Sequence, residues 1–240
     1  MFQHYGAQDK RYSLGIKTKR SRRMKVRRFA LQFVLLLLAP CYSHGQQSGQ
    51  NAVLEDRLRD AQVSKKQLGN GAEITEVRFA GSLQPNIELG CIPISEVTSQ
   101  FNPPALIYAA KKCVQEGQYT PAWILMTTGN GFAYYDLKRL ADRSTSGALM
   151  VLFSRALSDL TADQNAKAEK ATNEFLADPE QVKAYCTELK RIGPPTYEPQ
   201  WAIRHGIGAY REPRDGHYLT NVDTKALWEE VLKNRCTPKS

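Results

Sequence analysis

The sequence predicts a mainly α domain of antiparallel helical hairpins with a short β element near the N-terminus of the folded part. Three observations point there. Helix starts that combine a capping residue with proline recur at Asn102-Pro103-Pro104, Thr120-Pro121 and Asp178-Pro179-Glu180. Apolar residues return at helical spacing, as in Leu149, Leu152, Phe153, Ala156 and Leu160. One stretch, Glu73 to Phe79, alternates roughly as a strand does.

Taken in order, Val53 to Leu68 carries Val53, Leu54, Leu58, Ala61 and Val63 among charges, which predicts an amphipathic helix ended by Gly69-Asn70-Gly71. The strand at Glu73–Phe79 follows. Gly81 to Pro93 is loop-rich, with Ile87 and Leu89 in a further extended piece. Ala105 to Glu116 is helical and Gly117 stops it. The next helix opens at Thr120-Pro121 and meets Gly129-Asn130-Gly131. Those glycines either break it or admit a neighbouring helix closely. Ser144 to Ser146 can cap a helix over Ala148–Leu160, and Thr161–Leu176 is a polar surface helix. Asp178 leads to Lys190, and Pro194-Pro195 closes that element. Residues 194–222 form a long turn-rich connection with a short helix at Trp201–Ile207. Asp223 caps a last helix, Ala226–Asn234, with Leu227, Trp228, Val231 and Leu232 inward.

The segment before this domain reads as an export signal. Ala30 to Pro40, ALQFVLLLLAP, is uncharged and shorter than the roughly 20 residues a bilayer span needs. A basic run from Lys17 to Arg28 precedes it, and Ser43 and Gly45 offer a small-x-small cleavage site. Cleavage after Gly45 leaves a polar, flexible start at 46–52 and a single domain over 53–240. Met24 is a natural beginning for such a leader, with 1–23 as a basic extension. An uncleaved anchor is one alternative. A lipoprotein through Cys41 is another, although Pro40 suits its cleavage pocket poorly. The expected destination is the bacterial periplasm or the medium, with no membrane span after cleavage.

Charge follows the same division. The chain carries +9, but residues 1–45 hold 10 of the 33 basic residues and one of the 24 acidic ones. The remaining 23 of each sign cancel. A polyanion footprint needs clustered positive charge, so nucleic acid is excluded as a partner. Outside the leader, Cys91, Cys113, Cys186 and Cys236 form an even set, which in an exported chain favours two disulfides. Of the three possible pairings, Cys91–Cys113 and Cys186–Cys236 join neighbouring predicted elements. The alternative is reduced, buried thiols. The spacings are too long for a zinc ribbon.

The turn Gly117-Gln118-Tyr119-Thr120-Pro121-Ala122 has the Gly-x-Tyr-x-x-Ala spacing, and the small residues Ala109 and Ala110 stand on the preceding helix. On these residues 105–140 resembles a single tetratricopeptide-type helical hairpin. No second copy is evident, and the Gly-Asn-Gly run departs from the pattern. The resemblance implies a helical-repeat-like fold and a surface for a protein or peptide, with Tyr119 on it.

Candidate chemistry gathers in 198–217. His205 could act as a general base, oriented by Asp215 or Glu198, with Arg204 or Arg211 holding an anion. The simpler reading makes Trp201, Ile207 and Tyr210 an apolar plug and His205 a packing residue; a base without nucleophile or metal is half a site. Trp201 and Tyr210 also stand as candidate binding aromatics beside Tyr119. His205, Asp215 and His217 could hold a metal, but Asp215-Gly216 is explained by its turn, so no metal is assigned. Ser82 and Ser146 each adjoin a glycine without the five-residue elbow of a serine hydrolase. Glu73 and Glu76 suit a solvated face. Gly129 and Gly131 lack the Lys and Ser/Thr of a phosphate loop, and no cofactor is implied. The sequence thus favours an exported, non-enzymatic helical domain that binds a protein or peptide. An envelope hydrolase using the 198–217 loop and a purely structural envelope component are the alternatives.

Overall fold

Ala61–Gln67 (β1) and Glu73–Phe79 (β2) pair antiparallel, with Ala61 opposite Phe79 and Gln67 opposite Glu73. This is a computed structural model, and it describes residues 61–67, 73–210 and 216–236. Every described residue lies within one compact unit, Gln50–Ser240. The leader with Met24, Cys41 and Gly45, the start of the expected helix at Val53, and the Gly69-Asn70-Gly71 turn lie outside the described residues.

β2 stands where the alternation places it. β1 is a correction, because the sequence predicts helix through this segment. The apolar stripe of that helix depends on Leu54 and Leu58, upstream of the strand. Ala61–Gln67 itself offers one large apolar group, the β-branched Val63, and pairing with β2 overrides a weak local preference. Phe79 anchors the hairpin: it is buried, edge-on to Tyr210 with ring centres 4.8 Å apart. The loop after it holds no strand near Ile87 and Leu89.

The helices begin at local caps. Pro103–Gln115 (α1) starts at Asn102, whose side-chain oxygen accepts the Ala105 N–H at 3.0 Å. Gly117, at φ +76°, ends the turn after it, where the Gln118 N–H reaches the Cys113 carbonyl at 2.8 Å. Tyr119–Arg139 (α2) runs unbroken through Gly129-Asn130-Gly131. Close approach therefore explains those glycines. A Cβ on Gly129 would stand 3.2 Å from both Leu106 and Ile107 of α1, and one on Gly131 would stand 3.2 Å from Val231 near the C-terminus.

A 3-10 turn, Arg143–Gly147, precedes Ala148–Leu157 (α3). The cap here corrects the expectation at Ser144–Ser146. Asp142 accepts the Ser144 N–H at 2.9 Å, and Gly147 enters the helix with no side-chain bond. Ala162–Ala177 (α4) opens on a capping box of Thr161 and Gln164, and buries only Ala168 and Phe175. Pro179–Ile192 (α5) starts at Asp178, which accepts the Glu180 and Gln181 N–H groups. Gln200–Ile203 (α6) is a single turn. Thr224–Cys236 (α7) is capped by Asp223, which accepts from Lys225 and Ala226.

Two apolar clusters meet along α2. In the larger, Trp123 packs on Phe175 and Tyr185, while Phe132 and Tyr135 pack on Trp228. Two disulfides staple it. Cys91–Cys113 ties the loop to α1, and Cys186–Cys236 ties α5 to α7, with Cα separations of 4.7 and 5.6 Å. The smaller cluster joins Leu83, Ile107, Ala133 and Leu140 to α3 and to Trp201, Ala202 and Ile203. Among the described residues, no helix is long and apolar enough to cross a membrane.

Candidate functional site

The connection from Pro194 to Val222 crosses the smaller cluster, and two aspartates hold it. Asp136, on α2, is fully buried. Its Oδ2 accepts the Trp201 indole N–H and the Tyr197 hydroxyl, each at 2.9 Å, and its Oδ1 accepts an Arg139 N–H at 3.0 Å. Burial pushes the Asp136 carboxyl up to about 6, against the hydrogen bonds from Trp201 and Tyr197 and the charge of Arg139. Burial, with Asp136 beside it, holds the Tyr197 hydroxyl well above its ordinary value. The Arg139 guanidinium lies over Tyr135 at 4.3 Å and Tyr218 at 5.5 Å. Leu140 bridges to Tyr218, and the Leu219 N–H reaches the Arg139 carbonyl, so the far end of the connection returns to the same helix.

The second anchor is Asp142. It accepts the Ser144 N–H and hydroxyl through Oδ1 and the Gly208 N–H, at 2.6 Å, through Oδ2. The Ser144 hydroxyl in turn accepts the Ile207 N–H at 2.7 Å. Partial burial raises the Asp142 carboxyl, and the bonds from Ser144 and Gly208 outweigh it, leaving the group below its ordinary range. This contact requires glycine at 206: a Cβ there would run into the Asp142 carboxylate and stand 2.7 Å from Thr145.

His205 projects from this framework, half-buried. Its Nδ1 lies 3.4 Å from the hydroxyl oxygen of Ser82. Burial, and secondarily the charge of Arg155, lowers the imidazole below its ordinary value. Ser82 stands on a turn between Gly81, at φ +85°, and the buried Leu83, at φ +56°. A left-handed conformation is unusual for so bulky a residue. The Leu83 N–H donates to the Trp201 carbonyl at 2.9 Å, which ties this turn to the segment carrying His205.

The other expected residues separate. Arg204 is exposed, its Nε 3.3 Å from the Gln200 side chain one turn back. Asp215 and Arg211 lie outside the described residues, and Glu198 is exposed. Among the described residues no hydrogen bond joins His205 to a carboxylate. The His217 carbonyl accepts the Ala141 N–H at 2.9 Å. His217 also lines a cavity of about 20 Å³ with Leu140, Asp142, Thr145 and Ile203, room for roughly one water molecule. No group of three or more His, Cys, Asp or Glu that could hold a metal occurs among the described residues. Ser146 is exposed on the 3-10 turn.

The plug of Trp201, Ile207 and Tyr210 is corrected in part. Trp201 is 1 % exposed and committed to Asp136, so it packs and presents nothing to a partner. Ile207 is 64 % exposed, because its N–H is drawn to Ser144 at the surface. Tyr210 is half-buried against Phe79. Tyr119, at the start of α2, is partly buried on the larger cluster.

Sequence reasoning missed Asp136 and Asp142. A signal existed for the first: Asp136 falls four residues after Phe132 and three before Arg139, on the stripe of α2 that includes Leu125, Gly129 and Phe132. An aspartate on an apolar stripe must find donors. Asp142 carries no comparable signal. Comparison with family models, curated proteins and solved structures finds no match to this chain.

Proposed function

We propose that the chain is exported and that its disulfide-stapled helical domain binds a protein or peptide partner. Two disulfides suit an oxidising compartment, and the basic-then-apolar segment before Gly45 suits a route to one. The observation that carries the binding reading is the open β-hairpin. Its strands pair seven residues with seven, and no third strand joins them among the described residues. The outer edge of a strand in such a two-stranded sheet can accept an extended peptide by backbone hydrogen bonding. Val63, 57 % exposed on β1, stands beside one such edge.

A photo-crosslinking residue at position 63 tests this in the envelope. The reading expects one extended segment of one partner to be captured there, and capture to fail when the residue is moved to the exposed Leu176. Equal capture at both positions contradicts it. A Tyr119→Asp change separates this docking site from the helical hairpin face: binding survives if the strand edge is the contact and is lost if α2 is.

A second reading, a hydrolase built on the 198–217 loop, is favoured by one specific contact, that between His205 and Ser82.

A further inference from the structure

We infer that Ser82 is a nucleophile and His205 its general base, in a site for acyl transfer from activated esters or thioesters. The inference rests on the hydrolase reading and supplies the reacting group that His205 otherwise lacks. Residues 82 and 205 are brought together from opposite ends of the domain. The Ser82 hydroxyl and His205 Nδ1 are 3.4 Å apart, longer than a working proton-transfer contact of about 2.6–3.2 Å but within what empty sites show before substrate tightens them. With the imidazole neutral and its proton on Nε2, Nδ1 is the acceptor the hydroxyl needs.

Three features aim the pair. The Ser82 N–H is fixed to the Phe79 carbonyl at 3.0 Å, and the Leu83 N–H to the Trp201 carbonyl at 2.9 Å. Leu83 is held in the left-handed region although it is neither glycine nor asparagine, the kind of conformation that persists where surroundings over-determine it. Asp136 positions Trp201 through its indole, four residues before His205. Both Ser82 and His205 keep partial exposure, so a substrate can reach them.

The reaction balances without any further reagent. The Ser82 oxygen bonds to the acyl carbon while its proton passes to Nδ1. The bond to the leaving alcohol or thiol breaks, and that group departs with the proton. Water then attacks the acyl-serine, giving one proton to Nδ1, and the serine oxygen recovers it as the acid leaves. The substrate class follows from what surrounds the base. Among the described residues no carboxylate bonds to the imidazole, and Arg155 bears positive charge toward it. Both disfavour the imidazolium that forms during attack, so the site suits good leaving groups and not amides.

The full folded chain, treated with a fluorophosphonate probe and separately with p-nitrophenyl acetate, tests this. Labelling forms a Ser82–phosphorus bond and releases fluoride with the hydroxyl proton. We expect peptide mapping to place the label on Ser82, with loss of label in Ser82→Ala and in His205→Gln. We expect ester hydrolysis to fall at least 100-fold in both, and Ser146→Ala to leave both readouts unchanged. Label on another serine, or no label, overturns the assignment. If His205→Gln abolishes hydrolysis while Ser82→Ala preserves it, Ser82 is not the nucleophile and the hydrolase reading stands with water in its place. If the folded chain neither labels nor hydrolyses above a variant carrying both Ser82→Ala and His205→Gln, both fall. Near-UV circular dichroism matching wild type in each variant makes these outcomes a matter of chemistry and not of folding.

Discussion

The capped helices and the 194–222 connection are held in place by different interactions. Each of α1, α4, α5 and α7 is capped by a side chain within three residues of the N–H it accepts. The connection is held by long-range bonds: Tyr197 and Trp201 to Asp136, Ile207 to Ser144 and Gly208 to Asp142, 61 to 66 positions apart, with the backbone bonds of Trp201 to Leu83, His217 to Ala141 and Leu219 to Arg139 beside them. One region takes its form from neighbours in sequence, the other from partners far away in sequence, foremost Asp136 on α2 and Asp142 before the 3-10 turn. The helices can therefore tolerate the loss of single contacts, whereas the connection depends on a few.

The largest effect that would break this contrast is at Trp201. Trp201→Ala removes a fully buried side chain and one donor to Asp136, and should cost about 3–5 kcal/mol in urea unfolding. Next come the staples of the helical region. Losing Cys186–Cys236, which spans 50 residues, should cost about 4 kcal/mol, and losing Cys91–Cys113, which spans 22, about 3 kcal/mol. Paired Cys→Ala variants measured by thermal and urea unfolding check the order.

A third effect is a pH dependence specific to the connection. The folded Asp136 carboxyl lies near 6, above its ordinary 3.8, so folding favours its protonated form. Its contribution is full below pH 3.8 and is lost as pH rises through about 6. Asp136→Asn cannot titrate, so the stability of wild type relative to this variant should decline between pH 4 and pH 7. A constant difference across that range would assign the charge a different environment. The smallest effects belong to the helix caps. Thr161→Ala should cost about 1 kcal/mol and leave the connection unaltered.

Legibility in the sequence follows the same contrast. The starts of α1 and α5 are readable because a cap and its proline stand side by side, at Asn102-Pro103 and Asp178-Pro179, and that of α7 because Asp223 precedes its apolar run. Gly129 and Gly131 were ambiguous until Leu106, Ile107 and Val231 were seen against them. β1 was misread because its partner strand, not its own pattern, decides it. In the candidate site, His205 stood out by composition, since it is one of two histidines after residue 45. Its contact with Ser82 did not, because nothing local to Gly81-Ser82-Leu83 announces a partner 123 residues away. The anchoring role of Asp136 is equally non-local, although its place on an apolar stripe marked it as a residue needing donors.

Native-state hydrogen exchange of Asp136→Asn at neutral pH tests most directly whether Asp136 fastens the connection. The fastening predicts at least tenfold faster exchange at the Leu83, Ile203 and Arg204 amides, because Asn offers one acceptor oxygen where Asp136 accepts on both and a buried donor left unpaired costs about 1–3 kcal/mol, with the amides of α4 unchanged. Unchanged exchange at those three amides, or equal acceleration in α4, would contradict it.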